Sequence, residues 1–215
     1  MADILQAGLA PEYLDYHAGW ELQRRVHREV VAGSRPDTVI FCEHRSVYTA
    51  GKRTLDIERP TDAAIPVVDV DRGGKITWHG PGQLVGYPIV RLPEPVDVVA
   101  FVRELERVML EVLADLGIAA QRVEGRSGVW VKRESLVGPE VFDKVGAIGL
   151  RVQEGVTMHG FALNCSNELL PYAAIIPCGI SDAGVTTISR LLGRTVTPAD
   201  VLEAVSARFR EVVPA

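Results

Sequence analysis

The sequence predicts an α+β fold, a single domain built on a mixed, largely antiparallel sheet flanked by helices. Three observations lead there. Helix-period stripes open, divide and close the chain, with strand-like runs between them. The last strand candidates before the closing helix follow one another with short turns, which favours antiparallel or mixed pairing over βαβ repeats. The 215 residues contain no internal repeat, low-complexity tract or linker, so one domain spans 1–215.

The elements follow in order. From Glu12 to Val31, apolar residues recur every four positions at Leu14, Ala18, Leu22, Val26 and Val30, and Gly33 ends the helix. Thr38 to Cys42 is a short apolar run suited to a buried strand, and Pro66 to Val70 is a second. Lys75 to Trp78 and Tyr87 to Val90 are strands on either side of a glycine-rich loop. A second helix runs from Val98 to Leu116 on the stripe Val98, Val102, Leu105, Met109, Val112, Leu116, with Gly117 as its stop. Strands follow at Gly128 to Lys132, Lys144 to Val152 and Val156 to Asn164. The closing helix, Pro198 to Val212, has Thr197 as N-cap and Asp200 in its first turn. Gly125 to Ser127 and Ser135 to Asp143 are expected to be the mobile loops.

Composition narrows the function. Hydrophobic residues make up 47% and charged residues 24%, as in ordinary globular proteins. A net charge of -5 argues against nucleic acid, which calls for a basic stripe. The start, Met1-Ala2-Asp3-Ile4, has neither a basic nor an apolar leader segment, and no apolar run is long enough to span a membrane, so a cytoplasmic location is expected. The three cysteines, Cys42, Cys165 and Cys178, fit no disulfide framework and read as free thiols.

Three constellations could carry chemistry. The first, Arg72-Gly73-Gly74-Lys75-Ile76-Thr77-Trp78-His79-Gly80-Pro81-Gly82-Gln83, combines glycines with an arginine, a histidine and a glutamine. Glycines let a ligand approach backbone N–H groups. A dinucleotide loop is excluded, because Pro81 interrupts the segment and a strand, not a helix, follows. The alternative is a pair of structural turns. The second constellation is Lys144-Val145-Gly146-Ala147-Ile148-Gly149-Leu150-Arg151-Val152, where strand alternation sets Lys144 on one face with Gly146, Ile148, Leu150 and Val152. An amine at the edge of an apolar face loses hydration, which suits a proton shuttle; a snorkelling strand-end lysine fits the same pattern.

The third is Cys178, between Pro177 and Gly179. Such a cysteine lies on a turn, as a small hydrophobe or as a thiol held out to react. Lowering an ordinary cysteine by about two pKa units raises its thiolate at pH 7 from about 3% to roughly 75%, which one nearby ammonium could supply. Cys42 and Cys165 sit in apolar strand contexts and read as structural. His17, His27 and His44 read as surface residues, while His79 and His159 each precede a glycine. Cys42-Glu43-His44 lacks the second ligand pair a metal site needs, so no metal is expected.

Four blocks together resemble the lipoyl(octanoyl) transferases, which share their fold with biotin and lipoate protein ligases. They are Arg72-Gly73-Gly74-x-x-Thr77-Trp78-His79-Gly80-Pro81-Gly82-Gln83-Leu84-Val85-Gly86-Tyr87-Pro88, Lys144-x-x-Ala147-Ile148-Gly149, His159-Gly160-Phe161-Ala162-Leu163-Asn164 and Pro177-Cys178-Gly179-Ile180. The resemblance spans about residues 10 to 210. It implies transfer of an octanoyl group from acyl carrier protein to a lysine of lipoyl domains, those of 2-oxoacid dehydrogenase complexes and the glycine cleavage H protein. It further implies that Cys178 is the nucleophile and Lys144 its acid/base partner, with no cofactor and a monomeric enzyme. Arg72, Gly73, Gly74, Lys75, Ile76, Thr77, Trp78 and His79, then Ala147, Ile148 and Gly149, then Gly160, Phe161 and Ala162, become the substrate-binding stretches. Trp78 stands where many members have tyrosine, so a change of pocket shape is expected there. A thioester donor needs no ATP, and ping-pong kinetics follow from a covalent intermediate. The competing readings are an ATP-dependent lipoate or biotin ligase, a cysteine hydrolase with His79 or His159 as base, and a non-catalytic acyl-binding protein.

Overall fold

The computed structural model describes residues 2–61, 64–133, 140–175 and 183–212. Its main sheet has the strand order β1(Asp3–Gln6), β2(Thr38–Cys42), β6(Gln83–Ile89), β10(Val156–Asn164), β9(Phe142–Gln153), β8(Arg126–Lys132), β7(Ala120–Val123), with β11(Gly184–Val185) beside β9. β1 runs parallel to β2 and β11 parallel to β9, while the other pairings are antiparallel. A small second sheet, β4(Val67–Asp69), β3(Val47–Ala50), β5(Thr77–His79), stands beside it. The expected mixed sheet flanked by helices is what forms.

The two faces of the main sheet are filled differently. On one, Phe41, Leu84, Phe161 and Leu163 pack against Leu105, Met109 and Val112 of α2(Val98–Asp115) and Val205 and Phe209 of α4(Pro198–Val212). Phe161 stacks on Phe209 with centroids 5.4 Å apart. On the other, Ile40, Val85, Tyr87 and Ala162 meet Val26 and Val30 of α1(Tyr16–Val31). Between α2 and α4 lies the short helix α3(Ile188–Leu192). α1 and α2 are each started by an aspartate side chain that accepts a backbone N–H, Asp15 from Ala18 and Asp97 from Ala100, which satisfies an orphan donor of the first turn.

The structure departs from the sequence reading in several places. α1 starts at Tyr16, not Glu12, and buries Tyr16, Gly19, Gln23, Val26, His27 and Val30. The expected Leu14 and Ala18 are off that face: Leu14 precedes the capping Asp15, and Ala18 is exposed. β1, β3, β7, β11 and α3 carried no run long enough to be recognised. Gly125 to Ser127 is a tight turn that runs straight into β8, not a loose loop. Of Ser135 to Asp143, residues 135–139 lie outside the described part, and Phe142 and Asp143 begin β9. His27 and His44 are buried, not on the surface.

One irregularity matters for the site. β8 and β9 slip by a residue where Val129 pairs with Gly146 but Trp130 pairs with Lys144. Val145 is the extra residue of a β-bulge, and a bulge inverts the alternation of faces beyond it. Lys144 therefore does not share a face with Ile148, Leu150 and Val152, which pack toward the main core with Val145. It lies on the opposite face, with Ala147 and Gly149.

Candidate active site

A cavity of about 310 Å³ opens on the α1 face of the sheet. Its floor is made of small residues paired across three strands: Val85 opposite Ala162, Ala162 opposite Ala147, and Gly160 opposite Gly149. Glycine is required at 160, because a Cβ there would lie 2.1 Å from the Gly86 carbonyl oxygen and 2.5 Å from Pro88 Cδ. Tyr16 of α1, Tyr87 of β6 and His79 of β5 form one wall; Arg72, Gly74, Lys75 and Thr77 form another. The β7–β8 turn contributes Gly125, Arg126 and Ser127.

Arg72 is a structural clamp as well as a lining residue. Its buried guanidinium donates to the Thr49 carbonyl (2.6 Å), the Thr49 hydroxyl (2.9 Å) and the Lys75 carbonyl (2.8 Å). The Gly73 N–H donates to the Leu150 carbonyl at 2.9 Å. These bonds hold the glycine-rich turn between the small sheet and β9. Lys75 pairs with Glu58; although burial alone would raise that carboxyl, the Leu55 amide and Lys75 hold it below its ordinary range.

Three buried histidines, His44, His79 and His159, are neutral and tied down. His79 lies flat against Tyr16, centroids 6.4 Å apart, and its Nδ1–H donates to Gln83 Oε1 at 2.7 Å. Burial first, then His44, depresses its pKa to about 3. Gln83 Nε2 donates to Asn164 Oδ1 and to the Tyr172 hydroxyl, both at 2.9 Å. His44 donates from Nδ1 to the Leu14 carbonyl and accepts at Nε2 from the Tyr87 hydroxyl at 2.6 Å, with burial lowering it to about 4. His159 donates from Nε2 to Asp71 at 2.7 Å; burial, then Arg72 and Arg151, lower it to about 3. Burial likewise raises the Tyr16 phenol to about 12, so it stays protonated.

Lys144 is buried at the β9 end of the cavity, its Nζ 4.4 Å from the centre of the Trp130 ring, a cation–π contact. Cys178 lies outside the described residues. Before it, Ile175 is buried with Trp78; after it, β11 pairs Val185 with Lys144. The Thr186 N–H donates to the Lys144 carbonyl at 3.0 Å, and its own carbonyl accepts from Asn164 Nδ2 at 3.0 Å. Cys42 and Cys165 are fully buried, and burial raises both thiols, Cys165 to about 12.

Eleven of the expected binding residues line the cavity: Arg72, Gly74, Lys75, Thr77, His79, Ala147, Ile148, Gly149, Gly160, Phe161 and Ala162. Gly73, Ile76 and Trp78 do not. Strand alternation turns Ile76 and Trp78 into the cluster with Tyr48, Tyr172 and Ile175, where the Trp78 indole N–H donates to Ser46 Oγ at 2.8 Å. The change of pocket shape expected from Trp78 is therefore not borne on the cavity wall. Sequence reasoning missed Tyr16, Tyr87, Arg53, Arg126 and Ser127, which lie on elements far apart in the chain.

Residues 15–210 match the family model for the lipoyl protein ligase A/B catalytic domain. The chain belongs to that family. It is 62% identical over 202 residues to a protein of Clavibacter sepedonicus named octanoyltransferase, covering 94% of this chain and 87% of that relative. It is 61% identical to one of the same name from Salinispora tropica, covering 98% and 95%. Its fold is shared with solved structures of low sequence identity. A bi-partite lipoate protein ligase from Thermoplasma acidophilum superposes with a TM-score of 0.69 at 16% identity, covering 98% of this chain and 84% of that one. A biotin protein ligase from Aquifex aeolicus does so with a TM-score of 0.57 at 15% identity, covering 98% and 70%.

Proposed function

We propose that this chain is an octanoyltransferase, moving an octanoyl group from acyl carrier protein to one lysine of lipoyl domains through a thioester on Cys178. The acceptors are the lipoyl domains of 2-oxoacid dehydrogenase complexes and the glycine cleavage H protein, and the chain works as a single cytoplasmic unit. The observation that carries the reading is a buried lysine, Lys144, at the end of a cavity floored by glycine and alanine, in a chain 62% identical to an octanoyltransferase.

The chemistry is as follows. The Cys178 thiolate attacks the donor carbonyl, the C–S bond to pantetheine breaks, and the Lys144 ammonium protonates the departing thiolate. The acceptor lysine then gives one proton to neutral Lys144 and attacks the Cys178 thioester. Its second proton leaves to solvent as the amide forms and Cys178 departs as thiolate. One residue serves both half-reactions. The acyl chain lies over Ala147, Gly160 and Ala162, with the Arg72 side chain over Gly149 at its edge. His79 and His159 are poor proton acceptors at about 3, which disfavours a histidine-assisted hydrolase.

Intact mass after mixing with octanoyl-loaded carrier protein tests the reading. One octanoyl group should be gained, lost on addition of a lipoyl domain, and absent in Cys178→Ala. Transfer without mass gain would exclude the thioester, and octanoylation only with free octanoate and ATP would assign the chain to ligase chemistry.

A further inference from the structure

Glu106 is a fully buried carboxylate on α2, 0% exposed at its side chain, and it does not line the cavity. It stands in a charged surface run, Arg103-Glu104-Leu105-Glu106-Arg107, with no sequence feature to separate it from its neighbours. In the fold its two oxygens have different tasks. Oε2 accepts from Arg103 Nη1 at 2.7 Å and Arg122 Nε at 2.9 Å. Oε1 accepts the backbone N–H of Gly128 at 3.0 Å.

Gly128 lies beside the β8–β9 bulge. Its φ is +102, and a Cβ there would come 2.4 Å from the Gly146 carbonyl oxygen. Its amide is turned into α2, and the next two residues are those whose pairing slips, Val129 with Gly146 and Trp130 with Lys144. The bulge is what puts Lys144 on the cavity face, and Trp130 is the ring on which its ammonium rests. An amide aimed at a buried carboxylate needs that acceptor, since an unpaired buried N–H is costly.

We infer that Glu106 is a positioning residue for Lys144. By holding the Gly128 amide it fixes the bulge, and the bulge with the Trp130 face sets the amine in the cavity. The inference takes the role of Lys144 from the proposed function, but the positional claim can be read without it.

The test joins a kinetic cycle to a chemical probe. Glu106→Gln keeps one acceptor oxygen for the three donors that Glu106 satisfies, and should lower kcat less than Glu106→Ala does. Glu106→Ala should lower kcat by about 30- to 100-fold, the scale on which small misplacements act, with KM for the octanoyl donor nearly unchanged. Gly128→Ala reaches the same bulge from the strand side and should act likewise, so the claim survives if one variant does not fold. In a Lys144→Ala background, Glu106→Ala should cost nothing further. Reductive methylation of Lys144, followed by peptide mass, should speed up at least about 5-fold in Glu106→Ala, because an amine freed from its buried seat is more accessible. Losses that multiply in the double variant, together with an unchanged methylation rate, would overturn the inference. If Lys144→Ala is fully active, the catalytic reading of Lys144 falls, and the methylation rate alone decides whether Glu106 positions it.

Discussion

Ala162 offers the sharpest test of how the cavity reads its substrate. It sits in the middle of the floor, paired with Val85 on one side and Ala147 on the other. Ala162→Leu adds three carbons into a space of about 310 Å³, beside Val85 and Ala147. If the acyl chain lies along this floor, about three of its methylenes lose their place. At about 0.8 kcal/mol per buried CH₂, that is about 2.4 kcal/mol, or roughly 60-fold in kcat/KM for an octanoyl donor. If Ala162 lies beyond the reach of the fourth carbon, a butanoyl donor keeps its place and should lose less than about 3-fold by the same count. The assay is kcat/KM against butanoyl, hexanoyl, octanoyl and decanoyl carrier protein, with Ala162→Gly as the control that leaves the space open. The same proportional loss at every chain length would refute a chain laid over Ala162.

Three further outcomes are expected. Iodoacetamide at neutral pH should label Cys178 rapidly and leave Cys42 and Cys165 untouched until the protein unfolds, because burial keeps those two protonated; fast labelling of either would contradict their burial. Acid should destabilise the fold through its histidines. Their folded values, about 4 for His44 and about 3 for His79 and His159, lie below the unfolded 6.5, so the unfolded chain binds more protons. Their contribution is complete above about pH 6.5 and is lost as pH falls toward those values, by up to about 4 kcal/mol per pH unit for the three together. Urea unfolding from pH 7.5 to 4.5 measures it, and His79→Asn should flatten the slope by about a third. Tyr87→Phe leaves His44 Nε2 without its donor and should cost about 1–3 kcal/mol, read as a drop of about 2–4 °C in Tm per kcal/mol; an unchanged Tm would mean that the bond is not made in solution.

The sequence was most legible where pattern is local. α2 and α4 lie where periodicity and capping residues set them, because each buries one regular face, and β2 and β10 are strands buried along their whole length. The short strands β3, β7 and β11 were silent, since they are held by tertiary pairing and not by their own composition. The glycine-rich stretches were found as stretches, yet alternation within them separates Arg72 and Thr77, on the cavity, from Ile76 and Trp78, in the second core. Lys144 was recognised but given the wrong face. The bulge at Val145 depends on a carboxylate from α2, and nothing near Lys144 in sequence records that. Tyr16 and Tyr87 were missed for the same reason, since about seventy residues and four strands separate the rings that share one wall.

The floor of glycine and alanine has a thermodynamic consequence. Those side chains have no rotamers to freeze, so a ligand settling on them finds a surface already in its final shape. Association should then carry a negative heat-capacity change from apolar burial, with almost no added protection of the amides of β6, β9 and β10 against hydrogen exchange. Whatever ordering the acyl group brings should appear elsewhere than in the sheet beneath it.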